Sequence, residues 1–178
     1  MVIRSSAMQQ RGFTLIELMA VVLLVAILVA VALPTYQNLS RAALEASLSG
    51  VAGTLSSASS LVKARALIDG VDDGAVNYNG QRVDVRSQYP RGHWNRTFRY
   101  IIDASMQNRN TGFNQVCSDY KLCGVGNRPT IPGVAGTSGG RGVIVWPEGY
   151  RISQGCFAYF YNPENGNAPM IGTVVTGC

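Results

Sequence analysis

The chain has 178 residues, 47% of them apolar and only 14% charged, with 20 glycines, and a formal charge of +5. That length holds one domain and an extension. The low charge excludes a disordered polyelectrolyte, and because Arg4 and Arg11 supply two of the positive charges ahead of the apolar run, the balance of the rest is too mild to argue for nucleic acid.

In chain order, the first feature is Arg11-Gly12-Phe13-Thr14-Leu15-Ile16-Glu17-Leu18, which opens an apolar run whose stretch from Leu18 to Leu33 has no charged or strongly polar side chain. As a helix, residues 13–33 span about 30 Å, the hydrocarbon thickness of a bilayer. The run is longer than a secretory signal core, and Pro34-Thr35-Tyr36-Gln37-Asn38 makes no small-residue cleavage site after it. Arg4 and Arg11 would keep the N-terminus in the cytoplasm. A plain anchor leaves Glu17 unexplained, since a carboxylate in hydrocarbon is costly unless it is partnered. Cleavage between Gly12 and Phe13 would create a cationic amine four residues before it, on the same helix face; a neighbouring helix could offer the same group.

Pro34 removes a backbone hydrogen bond and is expected to kink or locally melt the helix. The pattern resumes beyond it. Leu39, Ala42/Ala43, Ala46, Val51, Leu55, Ala58, Val62, Ala66 and Leu67 recur at three- and four-residue intervals, an amphipathic helix that Gly50 and Gly53 weaken and Gly70 ends. Asp72-Asp73-Gly74 reads as a solvated turn behind it. The expected divisions are 1–12, 13–33, 34–70 and a globular head, 71–178.

In the head, "GVIVWP" (142–147), "CFAYFY" (156–161) and "MIGTVVTGC" (170–178) read as strands, the last two as an antiparallel pair across "NPENGNAP". Residues 99–103 fit a short helix or strand. The fold class is α+β: a long N-terminal helix, half membrane-length and half amphipathic, packed on a small antiparallel sheet. Four cysteines, Cys117, Cys123, Cys156 and Cys178, lie behind the membrane-length run, which argues for disulfides in an oxidising compartment. Pairing Cys156 with Cys178 would clip the last two strands and pairing Cys117 with Cys123 would close a tight loop, but three connectivities are open. Zinc fits poorly, because the Cys117–Cys123 gap is wide for a zinc pair and His93 is the one histidine. No metal or other cofactor is expected.

"RSQYPRGHWNRTFRY" (86–100) sets Arg86, Arg91, Arg96 and Arg99 among Tyr89, His93, Trp94, Phe98 and Tyr100, a basic-aromatic patch of the kind that holds DNA or a glycan. "GTSGGRG" (136–142) matches no phosphate-loop pattern. With no triad, nucleophile elbow or zinc signature, no enzyme is expected.

"RGFTLIEL" resembles the leader and cleavage site of type IV prepilins and the related pseudopilins. The resemblance covers about residues 4–45, on Gly12, Phe13, Thr14, Leu15, Glu17 and Pro34. It implies cleavage between Gly12 and Phe13 by a prepilin peptidase, methylation of the Phe13 amine, and a helix that serves first as inner-membrane anchor and then as filament core. It further implies that Glu17 meets the N-terminal amine of the adjacent subunit, and that the chain's partners are copies of itself and an inner-membrane assembly platform. The C-terminal cysteine pair is similar to the disulfide-bounded region near the end of many type IV pilins. The ending "VVTGC" and "SASSLVKARALIDG" (57–70) are similar to the mannose-sensitive haemagglutinin class. A secretion-system pseudopilin shares the same first segment. An anchored DNA- or glycan-binding minor pilin is the further alternative.

Overall fold

A computed structural model describes residues 13–102, 112–118 and 120–178 of the chain. A long helix, α1, runs Leu15–Asp69. Among the described residues seven strands follow: β1 (Gly74–Tyr78), β2 (Gln81–Arg86), β3 (Tyr89–Pro90), β4 (Leu122–Arg128), β5 (Arg141–Pro147), β6 (Phe157–Asn162) and β7 (Met170–Val174). All pair antiparallel, in a three-stranded sheet ordered β1-β2-β3 and a four-stranded sheet ordered β4-β5-β6-β7. The α+β reading is correct, with two sheets where the sequence suggested one. Contacts divide the chain into two units, one up to Arg41 and one from Ala42 to Cys178.

Helix α1 continues through Pro34 without interruption. The expected local melting is absent because proline removes a single donor and its fixed φ is close to the helical value. In the first unit the apolar side chains from Phe13 to Leu33, and Leu39 beyond, are exposed. The most apolar 18-residue window has a mean hydropathy of 3.0, and none of it is buried. At the other end, Gly70 takes φ +67, its N–H donates to the Leu67 carbonyl, and the Val71 N–H donates to the Ala66 carbonyl. This left-handed termination supplies partners for the last carbonyls and stops the helix where Gly70 was expected to.

In the second unit the buried stripe of α1 is Leu48, Val51, Leu55, Ala58, Ser59, Val62 and Ala66. The periodicity found Val51 through Ala66, but Leu67 is exposed and Leu48 was not singled out. The stripe joins Val76, Val83 and Val85 of the small sheet, Phe98, Ile101 and Ile102, and Val143, Val145, Ala158 and Phe160 of the large sheet. Fully burying a leucine such as Leu48 or Leu55 contributes about 1.5–3 kcal/mol. The opposite face of the large sheet forms a second core of Val125, Ile144, Trp146, Phe157 and Tyr161 beneath the loops, with Ile131 and Ile152. Strand β5 is thus buried on both sides, which is why "GVIVWP" is an unbroken apolar run.

The strands β1, β2 and β3 were not singled out in the sequence. Asn79 and Gly80, with φ of 50 and 77, make the two-residue turn of the first hairpin, a strong local signal flanked by "AVNY" and "QRVDV". The next turn is harder to see. Ser87 and Gln88 both hold positive φ, supported by Asp73 accepting from the Ser87 N–H and Asp72 accepting from the Gln88 amide. The expected solvated turn, Asp72-Asp73, is therefore a clamp on that hairpin. Strand β4 carries Gly124 and Gly126, a weak strand signature. Both glycines are required, since a Cβ at either would strike Trp94. The segment from Arg99 is a helical turn, Arg99–Ile101, continuing a π-helical turn, Trp94–Phe98; Asp103 lies outside the described residues.

Disulfides join Cys117 to Cys123 and Cys156 to Cys178. The second closes the longer loop, 22 residues apart against 6. Chain-entropy arguments assign it about 3 kcal/mol and the shorter one about 2 kcal/mol.

Glycines with opposite surroundings give a test. Gly124→Ala should destabilise the head by about 1–3 kcal/mol through overpacking. Gly53 sits in α1 with nothing near an added Cβ, so Gly53→Ala should stabilise by about 0.5–1 kcal/mol. Denaturant titration of the detergent-solubilised chain measures both; equal effects would contradict this packing.

Candidate functional site

Apart from Pro34 and the disulfide cysteines, the residues singled out from sequence fall in two places: the start of α1, and the small sheet with the helical turns beside it. At the start of α1, Thr14 precedes the first helical residue. Its N–H and its hydroxyl both donate to Glu17 Oε2, at 2.9 and 2.8 Å, and the Glu17 N–H reaches back to the Thr14 hydroxyl oxygen at 3.4 Å. The Leu18 N–H donates to the Thr14 carbonyl at 3.2 Å. This is a reciprocal capping box, which satisfies amides that a helix start leaves without partners. Its signature, Thr14-x-x-Glu17 just before an apolar run, is legible in the sequence and was not read there.

The cap gives Glu17 a local reason to exist. One carboxylate oxygen serves the cap, while Oε1 has no partner among the described residues. Phe13 is 84% exposed beside it, and Gly12 lies outside the described residues. The N-terminal turn therefore presents an aromatic residue, a half-used carboxylate and an unburied apolar helix together. Pro34 lies in the same exposed helix, distant in sequence from this turn.

The basic-aromatic stretch is divided by the fold. Trp94 is 5% exposed and packs against Gly124 and Gly126, so its ring is closed to ligands. Arg91 donates to Glu164 at 2.9 Å; Arg86 reaches Asp73 at 3.1 Å and Glu164 at 4.0 Å. Glu164 is held for this by Asn162, whose side-chain oxygen accepts the Glu164 N–H, while its buried amide donates to the carbonyls of Arg86 and Pro90. Asn162 and Glu164 thus tie the end of β6 to the β2–β3 hairpin, linking the two sheets. Arg99 lies over the Tyr100 ring at 5.4 Å. Arg96 is 72% exposed and only loosely paired, 3.9 Å from Asp84. Arg82, not singled out in the sequence, lines the same surface. Among the described residues no group of histidine, cysteine or acidic side chains is arranged to hold a metal ion.

His93 is half-buried in this region, and its pKa is lowered from 6.5, first by burial and then by the guanidinium groups of Arg91 and Arg96, which outweigh Asp84 and Glu164. The folded state therefore binds a proton at His93 less readily than the unfolded chain does. Stability should fall as the pH is lowered from about 7 to about 5, and His93→Gln should flatten that slope. Asp73 acts lower on the scale: its pKa is lowered from 3.8 by the Ser87 N–H and then by Arg86, so its contribution is lost only under stronger acid. Thermal melts of wild type and His93→Gln across this range check the sign.

Against known proteins, residues 7–33 match the family model of the prokaryotic N-terminal methylation motif. Neither the curated proteins nor the solved structures contain a significant match to the chain. The motif, the exposed apolar helix and the α+β head with its two disulfides support a type IV pilin-like prepilin, in the pilin or pseudopilin family.

Proposed function

We propose that the chain is the structural subunit of a type IV pilus, made as a prepilin, cut between Gly12 and Phe13, methylated at Phe13, and assembled into a surface filament serving adhesion or motility. The observation that carries this reading is the half-used carboxylate of Glu17 at the head of an exposed, membrane-length helix, directly behind the methylation motif. In the membrane the helix is solvated by lipid. Withdrawn from it, the same apolar surface needs other helices around it, and copies of the chain supply them. Glu17 Oε1 then takes the Phe13 amine of an adjacent subunit, a charge pair whose cost of mispairing in an apolar bundle fixes the register. The small residues of α1 suit close helix approach. A prepilin peptidase and an inner-membrane assembly platform are the implied partners. The C-terminal "VVTGC" supports the mannose-sensitive haemagglutinin class within the pilins.

The capping box supplies a clean test. Glutamine fills the same position in a capping box, so Glu17→Gln keeps the helix start and removes the charge. Filaments sheared from cells expressing it should fall at least about tenfold, the scale of one lost charge pair, while leader cleavage proceeds. Wild-type filament subunits should have an unreduced mass that begins at Phe13, with one added methyl group and four hydrogens fewer. Abundant filaments from Glu17→Gln would reduce Glu17 to a helix cap.

A further inference from the structure

The outward face of β2 reads Arg82-Asp84-Arg86, because Val83 and Val85 between them are buried. Two open grooves of about 350 and 280 Å³ meet there, and Arg82, Asp84 and Arg96 line both. A third, of about 490 Å³, runs along the edge of the first hairpin past Ala75, Asn77 and Gly80, and Arg82 lines it as well. One exposed guanidinium therefore stands where three grooves join.

The charges there are unequally committed. Arg86 and Arg91 are held by Asp73 and Glu164. Arg96 is loosely paired, and Arg82 makes no ion pair or hydrogen bond among the described residues. An unpaired, exposed guanidinium beside a loosely held one is a two-point donor for an oxyanion, since each fork can take a carboxylate or sulfate through two N–H groups.

We propose that these joined grooves bind an acidic polysaccharide, with Arg82 and Arg96 taking its carboxylate or sulfate groups and Asp84, Asn77 and Asn95 taking its hydroxyls. The interleaving of donors and acceptors selects this chemistry over nucleic acid. Sugar hydroxyls between the acidic groups can donate to Asp84, whereas a DNA backbone carries no hydroxyl to donate there. Single-stranded bases would also need an open aromatic platform, yet Trp94 is buried and the Tyr100 ring is faced by Arg99. The reading does not depend on filament assembly, because every residue it uses lies in the unit that begins at Ala42.

The test uses the full chain in detergent micelles, with a heparin octasaccharide and a charge-matched single-stranded oligonucleotide as probes. The octasaccharide should bind more tightly than the oligonucleotide. Arg82→Gln and Arg96→Gln should each weaken it about tenfold or more, as expected for a charge-assisted hydrogen-bonding pair. Arg82→Lys, which keeps the charge and loses the fork, should fall between. Lys121→Gln removes a charge whose side chain is 91% exposed outside these grooves, and it should leave binding unchanged. Absence of octasaccharide binding, tighter oligonucleotide binding, or losses in Lys121→Gln equal to those in the arginine variants would each overturn the proposal. Circular dichroism on every variant verifies that the head remains folded.

Discussion

The head depends on one burial event: the seating of the α1 stripe from Leu48 to Ala66 against two sheets at once. The small sheet offers Val76, Val83 and Val85, and the large sheet offers Val143, Val145, Ala158 and Phe160. An isolated hairpin such as β1–β2 is marginal in water, so its persistence rests on this shared surface. The stripe also explains which helix substitutions matter. Leu55 and Val62 are fully buried, while Gly53, about half a turn from Leu55, meets nothing. Secondary ties reinforce the arrangement. Asn162 bonds to the carbonyls of the β2–β3 hairpin, and Lys63 donates to the Tyr89 hydroxyl at 2.7 Å, anchoring that hairpin to the helix.

The start of α1 combines two demands that the sequence meets with one residue. A helix start has unsatisfied amides, which in hydrocarbon are costly, and a capping carboxylate answers them. A bundle of apolar helices has little to fix its register, and a single buried charge can do so when a partner exists. Glu17 answers the first demand within its own chain through one oxygen, and the other, without a partner among the described residues, is what the proposed assembly contact would use for the second. This is why glutamate and glutamine are equivalent for the first purpose and differ for the second.

Much of this was legible in the residues. The membrane-length helix, its stop at Gly70, the strands β5 to β7 and the α+β class follow from periodicity and turn chemistry, because strongly patterned segments carry their own signal. The missed strands have physical reasons. Strand β4 is diluted by Gly124 and Gly126, whose purpose is visible only once Trp94 packs on them. The hairpin at Ser87 and Gln88 lacks the usual glycine and relies on Asp72 and Asp73, which are distant in sequence. The Asn79-Gly80 turn, by contrast, was there to be read. At the basic patch, composition could not tell a buried tryptophan from a stacking platform, nor an arginine already held by Glu164 from an uncommitted one such as Arg82.

The large sheet divides the head into two layers, with Tyr150 packed against both cores. Each layer has its own covalent staple: Cys156–Cys178 borders the helix side, and Cys117–Cys123 lies within the loop side. Lifting the loops would uncover Ile144 and Trp146 while Val143 and Val145 stayed sealed beneath the helix. Opening the loop layer would therefore disturb the second core while leaving the residues that seat α1 in place.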